Sequence, residues 1–255
     1  MHRFHLPPAQ CHPLALLLEG GEARHARDVL RLRPGDEAVV LDGAGREFLC
    51  KVRTTDRHGV ALDAVETRTE APPPSKITLV QAIPKGKIFE SIIQKATELG
   101  VSRIVPLVSE RVAARFDAES ARDKAEKWRQ TAIEAIKQCG QKWLPEVLEP
   151  AGLPEILARI GTFDLALVGS LQGDGRHPRE YFRELELQNQ TRPKTVCAWI
   201  GPEGDFTGEE LDAIRGAGAR PITLGPLVLR SETAAIFTLS IINYELQSLP
   251  VNGPA

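Results

Sequence analysis

The stretch TVCAWIGPEGDFTGEELDAI, residues 195–214, contains a strand, a glycine-rich loop and the start of a helix in direct succession. Its first six residues form an apolar run, which is typical of a strand buried on both faces of a parallel sheet. The Gly-Pro-Glu-Gly that follows has a glycine at each end, so its backbone can approach a ligand closely. Thr207 and Glu210 then form a capping box, and Phe206 and Leu211 occupy the hydrophobic-staple positions, so we expect a helix to begin here.

The same alternation of strand and helix extends on both sides of this stretch. The predicted strands are 77–83, 102–108, 164–169, 195–200 and 221–224, and the other predicted helices are 88–99, 119–140 and about Ser231 to Leu249. Apolar strands that alternate with helices indicate an α/β domain whose parallel sheet is covered on both faces. The last helix is apolar over more than one face, so the domain or another subunit must cover it.

Three loops leave the carboxyl ends of predicted strands, at 169–173, 201–204 and 225–230. Ligands of open α/β sheets bind at such strand ends. The chain has no G-x-x-x-x-G-K-[ST] and no G-x-G-x-x-G after a first strand, so the common nucleotide motifs do not apply. The loops therefore predict a ligand site of another kind, although Gly-Pro-Glu-Gly taken alone is equally compatible with a simple tight turn.

The sequence changes character at three consecutive prolines, residues 72–74, which cannot continue a helix or a central strand. Before them the pattern is mainly β. The predicted strands are 37–41, 47–52 and 59–65, with a hairpin turn at 42–45. This set indicates a small β-barrel with one helix. We therefore predict two domains, 1–71 and 76–250.

A net charge of −2 does not indicate a nucleic-acid binder, because such domains often carry a basic excess. A local basic stripe is nevertheless present between residues 24 and 33. If this segment is helical, Arg24, Arg27 and Arg31 lie on one face. Such a face is either a surface that binds RNA phosphate or an ordinary solvated helix face, and charge alone does not decide between them.

No apolar run is long enough to cross a bilayer, and the N-terminus lacks the pattern of a signal peptide. We therefore expect a cytoplasmic protein without a membrane partner. The four cysteines, at positions 11, 50, 139 and 197, stand too far apart for a zinc knuckle or a redox pair. We expect inert thiols and no metal.

Two segments near the C-terminus resemble a known family. Residues 200–207, IGPEGDFT, and residues 224–234, LGPLVLRSETA, are similar to the two closing motifs of the ribosomal RNA small subunit methyltransferase E family, a member of the SPOUT superfamily. The segments similar to its earlier motifs are QAIPKG at 81–86, IQKATELGV at 93–101 and PLVSER at 106–111. The resemblance begins near Arg3 and continues, in the same order, to the last helix.

This resemblance implies a PUA-like, RNA-binding β-barrel at 1–71, followed by a SPOUT α/β domain with a C-terminal trefoil knot at 76–250. It also implies a homodimer that methylates N3 of a uridine in 16S ribosomal RNA of the small subunit, with S-adenosylmethionine as the cofactor. The residues expected at the cofactor are Gly169, Ser170, Ile200, Gly201, Pro202, Glu203, Gly204, Leu224, Gly225, Leu229, Arg230, Glu232, Thr233 and Ala234.

Three residues depart from the family pattern. Asp205 stands where glycine is usual, Leu227 where a basic residue is usual, and Ser231 where threonine is usual. Ser231 keeps the hydroxyl group. Asp205 and Leu227 lower the positive potential near the cofactor loops, so they change the expected contacts with RNA.

Arg230 and Glu232 are the expected catalytic residues, because they bracket the start of the last helix, where backbone N–H groups also favour negative charge. Arg230 would stabilise the uridine imide anion. Glu232 would act as a base or an orienting group, or would simply serve the helix N-terminus. Two alternatives to the rRNA enzyme remain open at this point: a catalytically inactive SPOUT-fold RNA-binding or ribosome-assembly factor, and a SPOUT methyltransferase that acts on tRNA.

Overall fold

The computed structural model describes residues 1–12, 15–111 and 116–247. The chain divides into two compact units. The first comprises residues 1–72 together with 133–144, and the second comprises 73–132 and the residues from 145 onward. Residues 133–144, which the sequence reading assigned to the second domain, therefore cluster with the first unit.

The described residues of the first unit form a five-stranded sheet. Its strands are β1 (His2–His5), β2 (Leu16–Leu18), β3 (Glu37–Leu41), β4 (Arg46–Thr55) and β5 (Val60–Thr69), in the spatial order β1-β3-β4-β5-β2. β1 runs parallel to β3, and the other pairs are antiparallel. Inward-facing Phe4, Leu18, Val40, Phe48 and Leu62 are fully buried in its core. The three strands predicted here are confirmed, while β1 and β2 were not predicted.

One short helical segment crosses between β2 and β3. Helix α1 (Gly20–Arg24) passes directly into a single π-helical turn, His25–Val29. Arg31 lies beyond this turn with a left-handed backbone, φ 56°. The shared face of Arg24, Arg27 and Arg31 depends on a helix through this segment, and helical spacing does not extend to Arg31.

The second unit contains a seven-stranded sheet in which every pairing is parallel. The strands are β6 (Lys76–Ala82), β7 (Arg103–Val108), β8 (Glu146–Val147), β9 (Ala151–Gly152), β10 (Leu165–Gly169), β11 (Thr195–Ile200) and β12 (Ala219–Ile222). Their order is β12-β10-β11-β6-β7-β8, and β9 also pairs with β7. The parallel sheet predicted from the apolar runs is confirmed.

In the part of the chain that the structure describes, six helices accompany this sheet. They are α2 (Ile88–Glu98), α3 (Ala118–Cys139), α4 (Leu153–Arg159), α5 (Pro178–Asn189), α6 (Gly208–Gly216) and α7 (Ser231–Gln247). Helices α4 and α5 were not predicted. Leu249, the expected end of the last helix, lies outside the described residues. None of the helices in the described part of the chain is both long and apolar enough to cross a membrane.

The helices cover both faces of the parallel sheet. α4 and α6 share a buried cluster with Val80 and Trp199 on one face. α7 packs against α2, α5 and β11. Ser231, at the start of α7, accepts a hydrogen bond from Gln81, whose side chain points opposite to that of Val80 because side chains alternate along a strand. α7 therefore lies on the other face, and the covered sheet that the sequence predicts is confirmed.

Candidate functional site

The carboxyl ends of three neighbouring strands, β10, β11 and β12, open into one pocket beside the start of α7. The pocket is lined by Gly169, Ser170, Leu171, Ile200, Gly201, Pro202, Glu203, Asp205, Ile222, Thr223, Leu224, Gly225, Leu227, Val228, Leu229, Ser231 and Ala234. The three loops that sequence analysis singled out thus meet at one edge of the sheet. They meet because β10 pairs with both β11 and β12, so the carboxyl ends of these strands are adjacent.

All but four of the predicted cofactor residues line this pocket; Gly204, Arg230, Glu232 and Thr233 do not. Helical periodicity explains why Glu232 and Thr233 do not line the pocket, because residues three apart share a helix face. Ser231 and Ala234 face the pocket, and the two residues between them do not.

Several lining residues were absent from the prediction. Those additional residues are Leu171, Asp205, Ile222, Thr223, Leu227, Val228 and Ser231. Ile222 and Thr223 were missed because β12 covers 219–222, two residues earlier than the predicted strand. The others lie inside or beside the predicted loops, so their position in the sequence was a usable signal.

A buried hydrogen-bonded chain ties the loop after β11 to the start of α7. Gln81, at the end of β6, donates from Nε2 to Ser231 Oγ over 2.9 Å. Ser231 Oγ in turn donates to the carbonyl oxygen of Gly201 over 2.6 Å. Gln81 and Ser231 are both buried, so water does not replace these bonds readily. The chain fixes two walls of the pocket relative to β6.

Asp205 has a left-handed backbone conformation, with φ 60°. This geometry explains why glycine suits the position, since most other residues are strained there. Aspartate is among the residues that tolerate the conformation best, and Asp205 Oδ1 also accepts a hydrogen bond from Phe206 N over 2.8 Å. The departure from the family pattern is therefore compatible with the loop.

An ion pair supports the loop after β10. Arg215, from α6, contacts Asp174 over 2.5 Å, and Asp174 accepts a hydrogen bond from Ser170 Oγ over 3.0 Å. Desolvation raises the pKa of Asp174, but the Ser170 hydrogen bond and the Arg215 charge outweigh it and hold this pKa below its ordinary value. Asp174 therefore stays ionised near neutral pH and holds Ser170 at the edge of the pocket.

The loop after β11 is also held from its other side. Glu203 Oε1 accepts a hydrogen bond from the backbone N–H of Lys85 over 3.1 Å. The guanidinium of Arg111 donates to the carbonyl oxygen of Gly204. The loops that follow β6 and β7 thus anchor the Gly-Pro-Glu-Gly turn, which explains how its glycines keep one conformation.

The two expected catalytic residues are the sequence neighbours of Ser231, and neither of them lines the pocket. Arg230 is exposed, and Glu232 is half-buried in the first turn of α7. Within the described part of the chain, neither side chain forms a hydrogen bond or an ion pair. Neither side chain is therefore tied to another described residue, and the structure does not bring either of them into the pocket.

The three arginines expected to bind RNA do not form one uniform face. Arg24 ends α1, and Arg31 lies past the π-helical turn; both are exposed. Arg27 is bound to Asp28 through two hydrogen bonds, of 2.7 and 2.9 Å. That hydrogen bond to Arg27 lowers the pKa of Asp28, so the pair is charged on both sides and its net charge is zero.

The cysteines are free thiols. Burial raises the pKa of Cys11 to about 11 and that of Cys50 to about 12, so neither is a thiolate near neutral pH. Cys197 is completely buried, which raises its pKa further. Across residues 1–12, 15–111 and 116–247, no three His, Cys, Asp or Glu side chains gather in a way that would hold a metal ion.

Comparison with known protein families defines the class. Residues 71–243 match the RNA methyltransferase domain family, and residues 18–64 match the RNA methyltransferase PUA domain family. The parallel-sheet unit with its strand-end pocket is thus an RNA methyltransferase domain, and the five-stranded unit is PUA-like.

Individual relatives narrow the assignment. A ribosomal RNA small subunit methyltransferase E from Aquifex aeolicus is 32% identical over 89% of this chain and 93% of its own length. The crystal structure of a ribosomal RNA small subunit methyltransferase E from Neisseria gonorrhoeae bound to S-adenosylmethionine has a TM-score of 0.80 at 28% identity, covering 95% of this chain and 96% of that one. A Legionella pneumophila methyltransferase structure in complex with the same cofactor has a TM-score of 0.84 at 32% identity, covering 94% and 96%.

The chain belongs to the ribosomal RNA small subunit methyltransferase E family. The resemblance drawn from the closing motifs is confirmed, as is the fold class of a PUA-like domain followed by a SPOUT-type α/β domain. The trefoil knot stays a prediction.

Proposed function

We propose that this protein transfers the methyl group of S-adenosylmethionine to N3 of a uridine in 16S ribosomal RNA. The observation that carries the proposal is the meeting of three strand-end loops in one pocket, in a chain whose family is that of the small-subunit rRNA methyltransferases. Similar proteins crystallised with the cofactor support the choice of S-adenosylmethionine.

The pocket residues suit this cofactor. Ile200, Leu224 and Leu229 supply apolar walls for an adenine ring. Gly201 leaves its loop compact, because a Cβ there would lie 3.2 Å from Asp205 Oδ1 and 3.3 Å from Phe206 N. Backbone groups of the loops are then close enough to bind the polar parts of the cofactor. When bound, S-adenosylmethionine supplies an electrophilic methyl group on a sulfonium sulfur.

Uridine N3 carries a proton in the neutral base, and its removal creates the nucleophile. The N3–carbon bond forms as the sulfur–carbon bond breaks, and the sulfur keeps the bonding electron pair. Arg230 would stabilise the negative charge of the imide before transfer. Glu232 would accept the proton or orient the base; the alternative is that its carboxylate only serves the positive end of α7.

N3 lies on the Watson–Crick edge of uracil, so the target must be unpaired or flipped out of its helix before methylation. The PUA-like unit is the expected RNA-holding part of the protein. Exposed Arg24 and Arg31 would contact phosphate, and Arg27 would do so by exchanging Asp28 for it. Because the substrate is ribosomal RNA, the expected location is the cytoplasm.

We also expect a homodimer formed through the second unit. Phe237 and Tyr244 on α7 have large aromatic side chains, yet 45% and 67% of their surface is exposed. Leu227 and Val228, in the loop at the pocket, are exposed at 75% and 76%. A second subunit that covers these side chains would remove apolar surface from water next to the active site.

The proposed activity is tested with ribosomal RNA from a strain that lacks the gene. Purified protein and S-adenosylmethionine should methylate small-subunit rRNA at one uridine, and mapping of the modified nucleotide identifies it. Methylation of tRNA instead would identify the tRNA enzyme. If the protein binds rRNA but shows no cofactor-dependent methylation, it is an inactive binding factor.

The roles of Arg230 and Glu232 are tested by single-turnover methylation across a pH series, with a parallel cofactor titration. Arg230→Ala should slow transfer on the order of a hundred- to a thousandfold, with a much smaller effect on cofactor affinity. Glu232→Gln should be slow at neutral pH and partly recover as rising pH ionises the imide unaided. An unaltered rate at every pH would remove Glu232 from the mechanism and leave its helix-terminal role.

A further inference from the structure

A second cavity, of about 520 Å³, lies in the methyltransferase unit between the loop after β6, the first turn of α2, α3 and the loop after β7. Five cationic side chains line it: Lys85, Lys87, Arg111, Lys124 and Lys127. They come from segments up to 42 residues apart and meet only through the fold. None of them belongs to the pocket described above.

The carboxylates that line the cavity are already engaged. Glu90 forms an ion pair with Lys127 over 2.6 Å. A hydrogen bond from Lys127 is the largest cause that lowers the pKa of Glu90, and the charges of Lys127, Lys87 and Lys124 act in the same direction, so the carboxylate stays charged. Glu203 accepts the hydrogen bond from the backbone of Lys85. Five cations thus face two acids, and the cavity has a net positive charge.

Three of the cations form no ion pair with a described residue. Among the residues that the structure describes, the ammonium groups of Lys85, Lys87 and Lys124 form no ion pair and no hydrogen bond. The floor of the cavity is aromatic: the buried rings of Phe89 and Trp128 pack edge to face at 4.5 Å. The walls therefore carry more positive than negative charge, which favours the binding of an anion.

The cavity adjoins the pocket at the strand ends. Glu203 lines both spaces, and Arg111 binds the carbonyl oxygen of the next residue, Gly204. A chain that passes through the cavity would therefore reach the pocket directly. Lysine ammonium groups suit the phosphates of such a chain, because they act as point charges and do not read a base sequence.

We propose that this cavity binds the phosphates of the RNA strand immediately beside the nucleotide that is methylated. The inference rests on the proposed function for the identity of the strand. Lys85, Lys87 and Lys124 would each contact phosphate and release condensed cations. They would hold the strand while the target base enters the pocket.

The test is the combined variant Lys85→Gln, Lys87→Gln, Lys124→Gln, which keeps side-chain length and removes three charges from exposed positions. Affinity for small-subunit rRNA from the deletion strain should fall about tenfold or more at low salt. The slope of log affinity against log salt should become shallower by about 2, at roughly 0.7 per phosphate contact for a single strand. The affinity for S-adenosylmethionine should not change.

A matched control has the same charge change on the opposite edge of the sheet. Lys76 and Lys194 lie at the amino ends of β6 and β11, Lys95 lies near the end of α2, and all three are exposed. The variant Lys76→Gln, Lys95→Gln, Lys194→Gln should retain the rRNA affinity and salt slope of the unaltered protein. Circular dichroism of both variants checks that they are folded.

An unchanged rRNA affinity in the cavity variant, or an equal loss in both variants, would overturn the proposal. Neither result bears on methyl transfer, which the unaltered protein tests separately. If the unaltered protein binds rRNA but transfers no methyl group, the proposed function fails, and the comparison of the two variants still decides whether the cavity binds phosphate.

Discussion

Ser231→Ala should destabilise the second unit and loosen its cofactor pocket. The substitution removes the hydroxyl that joins Gln81 to the carbonyl oxygen of Gly201. Gln81 is fully buried, and its Nε2 then keeps only the bond to Ala82 O. Its Oε1 already has no hydrogen-bond partner among the described residues, so the variant leaves a poorly satisfied buried amide.

The expected cost follows from these two lost bonds. An unsatisfied buried polar group costs about 1–3 kcal/mol. The Gly201 carbonyl is only half-buried at the pocket, where water can replace the lost donor, so its contribution lies at the lower end. We expect the free energy of unfolding to fall by about 2 kcal/mol, which is a Tm decrease of about 4–8 °C in a chain of this size. Cofactor affinity should fall several-fold.

The assay is urea unfolding followed by tryptophan fluorescence, with calorimetric titration of S-adenosylmethionine. Ser231→Thr keeps the hydroxyl and should retain most of the stability. Ser240→Ala is a second control, because the Ser240 hydroxyl bonds only the Ile236 carbonyl of its own helix. The free energy of unfolding of the Ser240→Ala protein should stay within about 0.5 kcal/mol of that of the unaltered protein. A Ser231→Ala protein as stable as the Ser240→Ala protein would refute the bridging role.

Glu210→Gln should lower the free energy of unfolding by about 1–3 kcal/mol, because its buried carboxylate accepts three hydrogen bonds and an amide can accept fewer; thermal unfolding measures this, and an unchanged Tm would contradict it. Replacing Arg24, Arg27 and Arg31 together with glutamate should weaken rRNA binding and its salt dependence without affecting cofactor binding; if filter binding finds both RNA properties unaltered, these arginines form only a solvated surface. Phe237→Asp should convert a dimer to a monomer in sedimentation; a monomeric unaltered protein with full activity would exclude the dimer.

Much of the fold could be predicted from local pattern. The apolar run of β11 and the capping box of α6 each depend on residues that are near one another in sequence. The strand β11 has the predicted limits, and the capping box makes the predicted contacts. Helices α4 and α5 were missed, although a proline stands in the first turn of each and is a usable start signal. The two-residue strands β8 and β9 have no such signal, because a pair of residues shows no periodicity. Their pairing with β7 comes entirely from tertiary contact.

In the candidate site, the difference between what local sequence predicts and what tertiary packing decides is larger. Sequence spacing identified the glycine loops, because each is bounded by a strand that can be read locally. Sequence spacing did not predict that Gln81 contacts Ser231, 150 residues away. It also did not predict that the capping-box carboxylate of Glu210 accepts a hydrogen bond from Ser109, 101 residues away. The lysines of the second cavity come from separate segments, and nothing in those segments indicates that the fold brings them together. Hydrophobic periodicity and helix capping are local properties of a chain. The order of strands in a sheet decides which loops are adjacent, and that order is set by long-range packing.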